Sequence, residues 1–477
     1  MEKSKVLKSG LKWNSLLAFS TATFKFIRGF VVPKLLVLPA SYGLFTSIGV
    51  YQRYLNYADF GATAYLVKQY PRLYHNKESD QAANLLNAVL NFFIVSLTIS
   101  SILLFVLYKY YHGINADFYR VAFLLLIPIT ILVNVRTLFS NLASITYNYK
   151  DNSRISIVND LASFVFIVVG INLKGAVGGV YGILFAELIN LLYALIIIKP
   201  KLKFRFSFEW IKLFSHFVRQ LLVGLIELIA GTFDVFIILL FFSREMFGYY
   251  SLALAFSWGM IAISGIIATT LMPKIMALSY KDKHLIADLS YKATLMYLLI
   301  CFIVFVLVSF VLFFLIKVYF TNFQYSINLI FLVLFSGTLR GLNSIQKANF
   351  LAYDRENKYI LRAVIIFSIY FLVAFAFHYL KLDFLMYIYL ISATDIFYSI
   401  YLIFKAGPKY SMKETSNMIL AIMLFTVVVC CMQFGLPVLT MGYLFYSLFL
   451  ITLLLVCGSL FYFRKVLLQL GRSIINY

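Results

Sequence analysis

The stretch Asn14-Ser15-Leu16-Leu17-Ala18-Phe19-Ser20-Thr21-Ala22-Thr23-Phe24-Lys25-Phe26-Ile27-Arg28 is mostly apolar, yet it carries two cations. Asn14, Ala18, Thr21, Lys25 and Arg28 recur at i, i+4, i+7, i+11 and i+14, which is one face of a helix. The same spacing returns 206 residues later as Gln220, Gly224, Glu227, Gly231 and Asp234. A charge inside a membrane helix costs roughly 3 kcal/mol or more, so it faces a cavity or a partner rather than lipid. Two matching stripes, one cationic and one anionic, point to a duplicated membrane protein with a polar path between its halves.

Composition agrees. Of 477 residues, 62% are hydrophobic and 13% charged, with a mean hydropathy of +0.91. Those values lie outside the soluble range. About 20 apolar residues span the hydrocarbon as a helix. Candidate spans fall near residues 13–37, 42–66, 82–108, 118–144, 153–173, 176–198, 215–242, 247–272, 291–316, 325–350, 360–380, 384–404, 415–436 and 440–463. The runs are long and alternate little, which argues against a β-barrel. The first run is long, lacks a clear cleavage site and holds Lys25 and Arg28, so it reads as a span and not a signal peptide. The expectation is an all-α polytopic membrane protein of about 14 transmembrane helices.

The net charge of +22 sits in particular loops. With the N-terminus inside, cytoplasmic segments hold 26 Lys and Arg against 6 in the opposite loops. That asymmetry places both termini in the cytoplasm. It assigns the basic residues to membrane lipid headgroups and not to nucleic acid.

The halves resemble each other weakly. Gly43 and Gly248 open spans two and eight, 205 residues apart, and Asn152 and Asn357 follow spans four and ten at the same offset. Arg136 and Arg340 are offset by 204. Six spans per half gives two parallel repeats about an axis along the membrane normal. This predicts an N-terminal six-helix lobe over residues 1–198, a basic cytoplasmic linker over 199–214 and a second six-helix lobe over 215–406. Two extra spans with a short cytoplasmic tail over 407–477 pack peripherally.

At the 206 offset Arg28 and Asp234 are equivalent, so they could face each other as a gating ion pair or as a static bridge between lobes, or each be satisfied within its own lobe. Span two adds Gln52, Asn56, Asp59 and Thr63 at helical spacing, with Arg53 beside them. That face lines a cavity or bonds neighbouring helices. Lys25 and Arg28 form an anion-binding pair one turn apart, and the guanidinium fork suits phosphate. Glu227 and Asp234 read either as proton or cation sites or as neutralising partners for those cations. Arg136 and Arg340 read as anchors or lobe-packing residues. Asp160, Glu187 and Asp395 look isolated. Cys430 and Cys431 read as small packing residues. No P-loop or His/Glu metal motif is present, no cofactor is implied, and the five histidines fall singly near span ends.

Residues 33–73 carry a family likeness. Pro39-Ala40-Ser41-Tyr42-Gly43-Leu44-Phe45, then Tyr54 and Tyr57, Asp59-Phe60-Gly61-Ala62-Thr63-Ala64 and Tyr70-Pro71 resemble the start of Wzx-type O-antigen and polysaccharide flippases, within the MATE-like exporter superfamily. Ala62 stands where Leu is common. Phe247-Gly248-Tyr249-Tyr250 and the following Ser251-Leu252-Ala253 also look like the family. The resemblance implies a V-shaped cleft between two lobes. It also implies transfer of a polyprenyl-pyrophosphate-linked oligosaccharide to the outer leaflet of the bacterial inner membrane, by a transporter and not an enzyme. Lys25, Arg28, Arg53, Gln52 and Asn56 are then the expected substrate contacts. Asp59, Glu227 and Asp234 are the expected coupling or gating groups. Polymerase and chain-length proteins are implied partners. The alternatives are an ion-coupled exporter of drugs or metabolites, a peptidoglycan precursor flippase, and a membrane-embedded glycosyl polymerase or ligase. The last would carry a large external loop, and every external loop here is short.

Overall fold

The computed structural model describes residues 2–75, 78–145, 148–198, 205–278, 283–352, 356–381, 383–405 and 410–438. Among them every regular element is helical. The backbone falls into two compact units, Met1–Leu240 and Phe241–Tyr477.

The first unit holds α1 (Glu2–Leu36), α2 (Pro39–Leu55), α3 (Ala62–His75), α4 (Ser79–Tyr110), α5 (Ala116–Ile145), α6 (Tyr149–Ile198) and most of α7 (Trp210–Phe241). The sequence repeat assigns α7 to the second lobe, whereas its packing joins it to the first. α1 and α2 meet over two residues, Val37 and Leu38, with Val37 at φ 60° and Pro39 opening α2. Proline suits that first position because its fixed φ is helical and its missing N–H is not needed there.

Span two differs from expectation. It stops at Leu55, turns through 56–61 and restarts as α3. Phe60 at φ 49° and Gly61 at φ 83° make the turn. A Cβ on Gly61 would lie 2.5 Å from the Leu221 nitrogen and the Phe217 carbonyl oxygen, so only glycine lets the turn sit against α7. The motif around Asp59 and Gly61 is therefore a helix break docked on a neighbouring helix.

Spans five and six are the two arms of α6, hinged at Lys174 and Gly175, where the backbone leaves the helical region. This matches the predicted gap between 173 and 176. Gly170 meets Gly178, and Gly182 meets the Phe166 carbonyl, so the arms touch backbone to backbone.

The first arm runs beside α1. Ser153 Oγ donates to the Trp13 carbonyl at 3.1 Å, Thr21 Oγ1 donates to Asp160 Oδ2 at 2.5 Å, and the Phe24 and Phe164 rings lie 6.3 Å apart. The contacts advance together along both chains, so the two helices are parallel and in register. This parallel packing sets α1's polar face against Asp160.

The second unit contains α8 (Arg244–Leu278), α9 (Lys283–Tyr319), a 3-10 turn (Thr321–Ser326), α10 (Ile327–Ala352), α11 (Glu356–Tyr379), α12 (Phe384–Lys405) and α13 (Met412–Val438). Buried Tyr297 donates to the Thr338 carbonyl at 2.8 Å. α13 lays one face on this unit. Phe425 meets Phe302, Phe305 and Phe335 at 5.0–5.2 Å, and Gln433 Nε2 donates to the Asn328 carbonyl at 2.7 Å. Its other face, with Leu420, Leu424 and Val427, is exposed, as are Cys430 and Cys431. The packing role expected for those two cysteines is therefore corrected: they face outward. The fourteenth predicted span, 440–463, and Cys457 lie outside the described residues.

Among the described residues seven helices are long and apolar enough by themselves to cross a membrane, or eight when α7, bent by 72° between Ile226 and Gly231, counts as one span. α1, which carries the cationic stripe, and α2, which carries Gln52 and Arg53, are not among the seven. Outward faces are apolar, for example Ile94, Ile102 and Phe105 on α4. The protein is a polytopic all-α membrane protein.

Candidate functional site

Three cations gather where α1, α2 and α6 meet. Lys25 and Arg28 rise from α1, and Arg53 from the last turn of α2. Lys25 lies in the electrostatic field of both Arg28 and Arg53, so the three repel one another. Lys25 is exposed, while Arg28 and Arg53 are half-buried.

Carboxylates flank it. Asp160 acts on both Lys25 and Arg28, and Tyr42 also lies beside Arg28. Asp234, buried on α7, acts on Arg53 and Tyr54. Tyr54 Oη and Thr232 Oγ1 lie 3.1 Å apart and join α2 to α7 next to Asp234. Gly224, also on α7, leaves room for the ring of Tyr57 from the turn after α2. Arg28 and Asp234, which the repeat made equivalent, each also have another opposite charge acting nearby. Asp160 is the carboxylate at Arg28, and Arg53 is the cation at Asp234.

The remaining candidates disperse. Gln52 is half-buried on α2, and its carbonyl accepts from the Asn56 N–H at 3.0 Å. Asn56 is exposed in the turn, so the four-residue helical face drawn through Gln52, Asn56, Asp59 and Thr63 does not exist. Asp59 starts α3: its Oδ1 accepts from the Gly61 N–H at 3.0 Å and its Oδ2 from the Thr63 N–H at 2.9 Å. Both oxygens of this expected coupling group are thus occupied by helix capping. The side chains of Asn14, Ala18 and Glu227 lie outside the described residues.

Three carboxylates expected to be isolated all have partners. Besides Asp160, Glu187 accepts from Arg136 Nε at 2.9 Å and Asp395 from Arg340 Nε at 3.1 Å, all four side chains being largely buried. The arginines are therefore lobe-packing residues. Sequence reading missed these pairs because each partner lies 51 or 55 residues away on another helix.

With this geometry in hand, comparison with solved structures defines the class. The lipid II flippase MurJ, in an inward closed conformation, superposes with a TM-score of 0.68 at 14% identity, covering 95% of this chain and 99% of that one. A mutant of the Vibrio cholerae MATE transporter VcmN gives 0.61 at 12%, covering 84% and 97%. A MOP superfamily transporter from Pyrococcus furiosus gives 0.51 at 12%, covering 90% and 97%. The fold is that of the MurJ and MATE transporters. The model of a family of polysaccharide biosynthesis proteins matches residues 36–328, and the chain belongs to that family. No curated protein sequence matches it.

Proposed function

We propose that the protein is a flippase moving polyprenyl-pyrophosphate-linked oligosaccharides from the cytoplasmic to the outer leaflet of a bacterial inner membrane, by alternating access, with both termini cytoplasmic. The observation that carries the reading is the cluster of Lys25, Arg28 and Arg53 on α1 and α2. Three cations against two carboxylates leave an excess positive charge, which matches a pyrophosphate headgroup and opposes a cationic drug. The arginines donate in a fixed fork to phosphate oxygens, and Lys25 adds a point charge at the exposed end. Gln52 and Asn56 offer amides to sugar hydroxyls, and the lipid tail stays in the bilayer. Family membership and the likeness of fold support this assignment. A polysaccharide polymerase and chain-length proteins are the partners this role would require downstream.

Buried Asp234 favours a second reading, an ion-coupled exporter in which that carboxylate takes a proton or cation. Depleting the protein in its host separates the two. The flippase reading requires polyprenyl-linked repeat units to accumulate while surface glycan is lost. Unchanged lipid intermediates with increased sensitivity to cationic dyes would move the assignment to the exporter.

A further inference from the structure

We propose that Asp160 is the resident counter-anion of the cation cluster, holding Lys25 and Arg28 in the empty protein and yielding them to a pyrophosphate headgroup. The inference rests on the substrate reading above and gives a function to a residue with no other role.

Several observations converge. Asp160 lies on the first arm of α6, at the level where that arm packs in parallel register on α1. Its carboxylate acts on both Lys25 and Arg28, the two cations one turn apart on α1. Thr21, a turn before Lys25 on the same polar stripe, donates to Oδ2 at 2.5 Å and fixes the carboxylate toward the stripe. Thr21, Lys25 and Arg28 thus present one hydroxyl and two charges to a single anion. Asp160 is half-buried, and Lys25 keeps solvent-accessible surface.

Cations held together in a partly buried site are costly without a counter-charge. A carboxylate on a neighbouring helix lowers that cost while the site is empty. A pyrophosphate diester carries two charges and more acceptor oxygens, so it outcompetes the carboxylate for the guanidinium. The displaced carboxylate keeps its hydroxyl partner on Thr21, so it is not left buried and unsatisfied. A transporter must also release what it binds, and the same carboxylate returning to Lys25 and Arg28 would expel the headgroup. Asp160 therefore acts as a positioning residue that sets affinity by competition.

The test measures binding of farnesyl pyrophosphate to the detergent-purified full chain by calorimetry. The inference requires Asp160→Asn, which keeps shape and removes charge, to bind roughly threefold to tenfold more tightly than the wild type. Thr21→Val should shift affinity the same way by less, and it serves if Asp160→Asn does not fold. A purely structural Asp160 would give weaker or unchanged binding in both variants, and either result overturns the inference. Arg28→Ala is measured alongside. If it binds weakly while Asp160→Asn and Thr21→Val show no gain, the pyrophosphate site stands and only the counter-anion role falls. If Arg28→Ala and Arg53→Ala both bind like the wild type, the substrate reading itself has failed and this inference falls with it.

Discussion

Arg136 on α5 donates from Nε to Glu187 Oε2 on the second arm of α6 at 2.9 Å, and both side chains are largely buried. Arg340 on α10 makes the same kind of bond to Asp395 on α12 at 3.1 Å. The two arginines are offset by 204 residues and the two carboxylates by 208. Each sequence repeat thus ties its fourth and sixth predicted spans together with a buried ion pair. Removing one partner of such a pair leaves a desolvated charge, which costs about 3–5 kcal/mol, whereas replacing both with apolar residues is often neutral. Arg136→Met should therefore lower the thermal midpoint in detergent sharply, and Arg136→Met with Glu187→Leu should recover most of it. Equal losses in the single and double variants would contradict the buried-pair account.

Gly61 has a positive φ and lies against the backbone of α7. Gly61→Ala adds left-handed strain of about 1–2 kcal/mol and a clash that must push α3 from α7, costing about 1–3 kcal/mol more. Folded yield and thermal midpoint report the loss. An alanine variant as stable as the wild type would mean that the turn does not dock on α7 in this way.

Asp59 distinguishes capping from ion coupling. Asparagine keeps one of the two accepting oxygens and alanine keeps neither, so asparagine loses part of the cap and alanine about 1 kcal/mol or more. Asp59→Asn should keep transport with a modest loss of stability, and Asp59→Ala should lose more stability. Transport abolished in a stable Asp59→Asn protein would return this residue to the coupling group.

Arg28 and Arg53 test the cluster as a substrate site. Arg28→Ala and Arg53→Ala should each cut leaflet transfer of a pyrophosphate-linked lipid by about tenfold or more in reconstituted vesicles. Lysine at either position should restore part of it, since it keeps charge and loses the fork. Wild-type rates in both alanine variants would remove the cluster from the transport path.

What the sequence alone determined is whatever depends on one segment at a time. Hydropathy windows marked the helices because each span must satisfy its backbone internally in lipid. They even marked the gap at Lys174 and Gly175, where the backbone does leave the helix. The polar stripe of α1 was legible for the same reason, as a period within one helix. Only the tertiary structure decided which charge meets which. Thr21 and Asp160 are 139 residues apart, and their bond exists because α1 and α6 pack in parallel register. Likewise the helical spacing through Asn56 and Asp59 was broken by a turn that pays for its positive φ values with a glycine docked on α7. Periodicity records a helix's faces, but the partner of each face is set by packing between helices, which no single stretch of sequence contains.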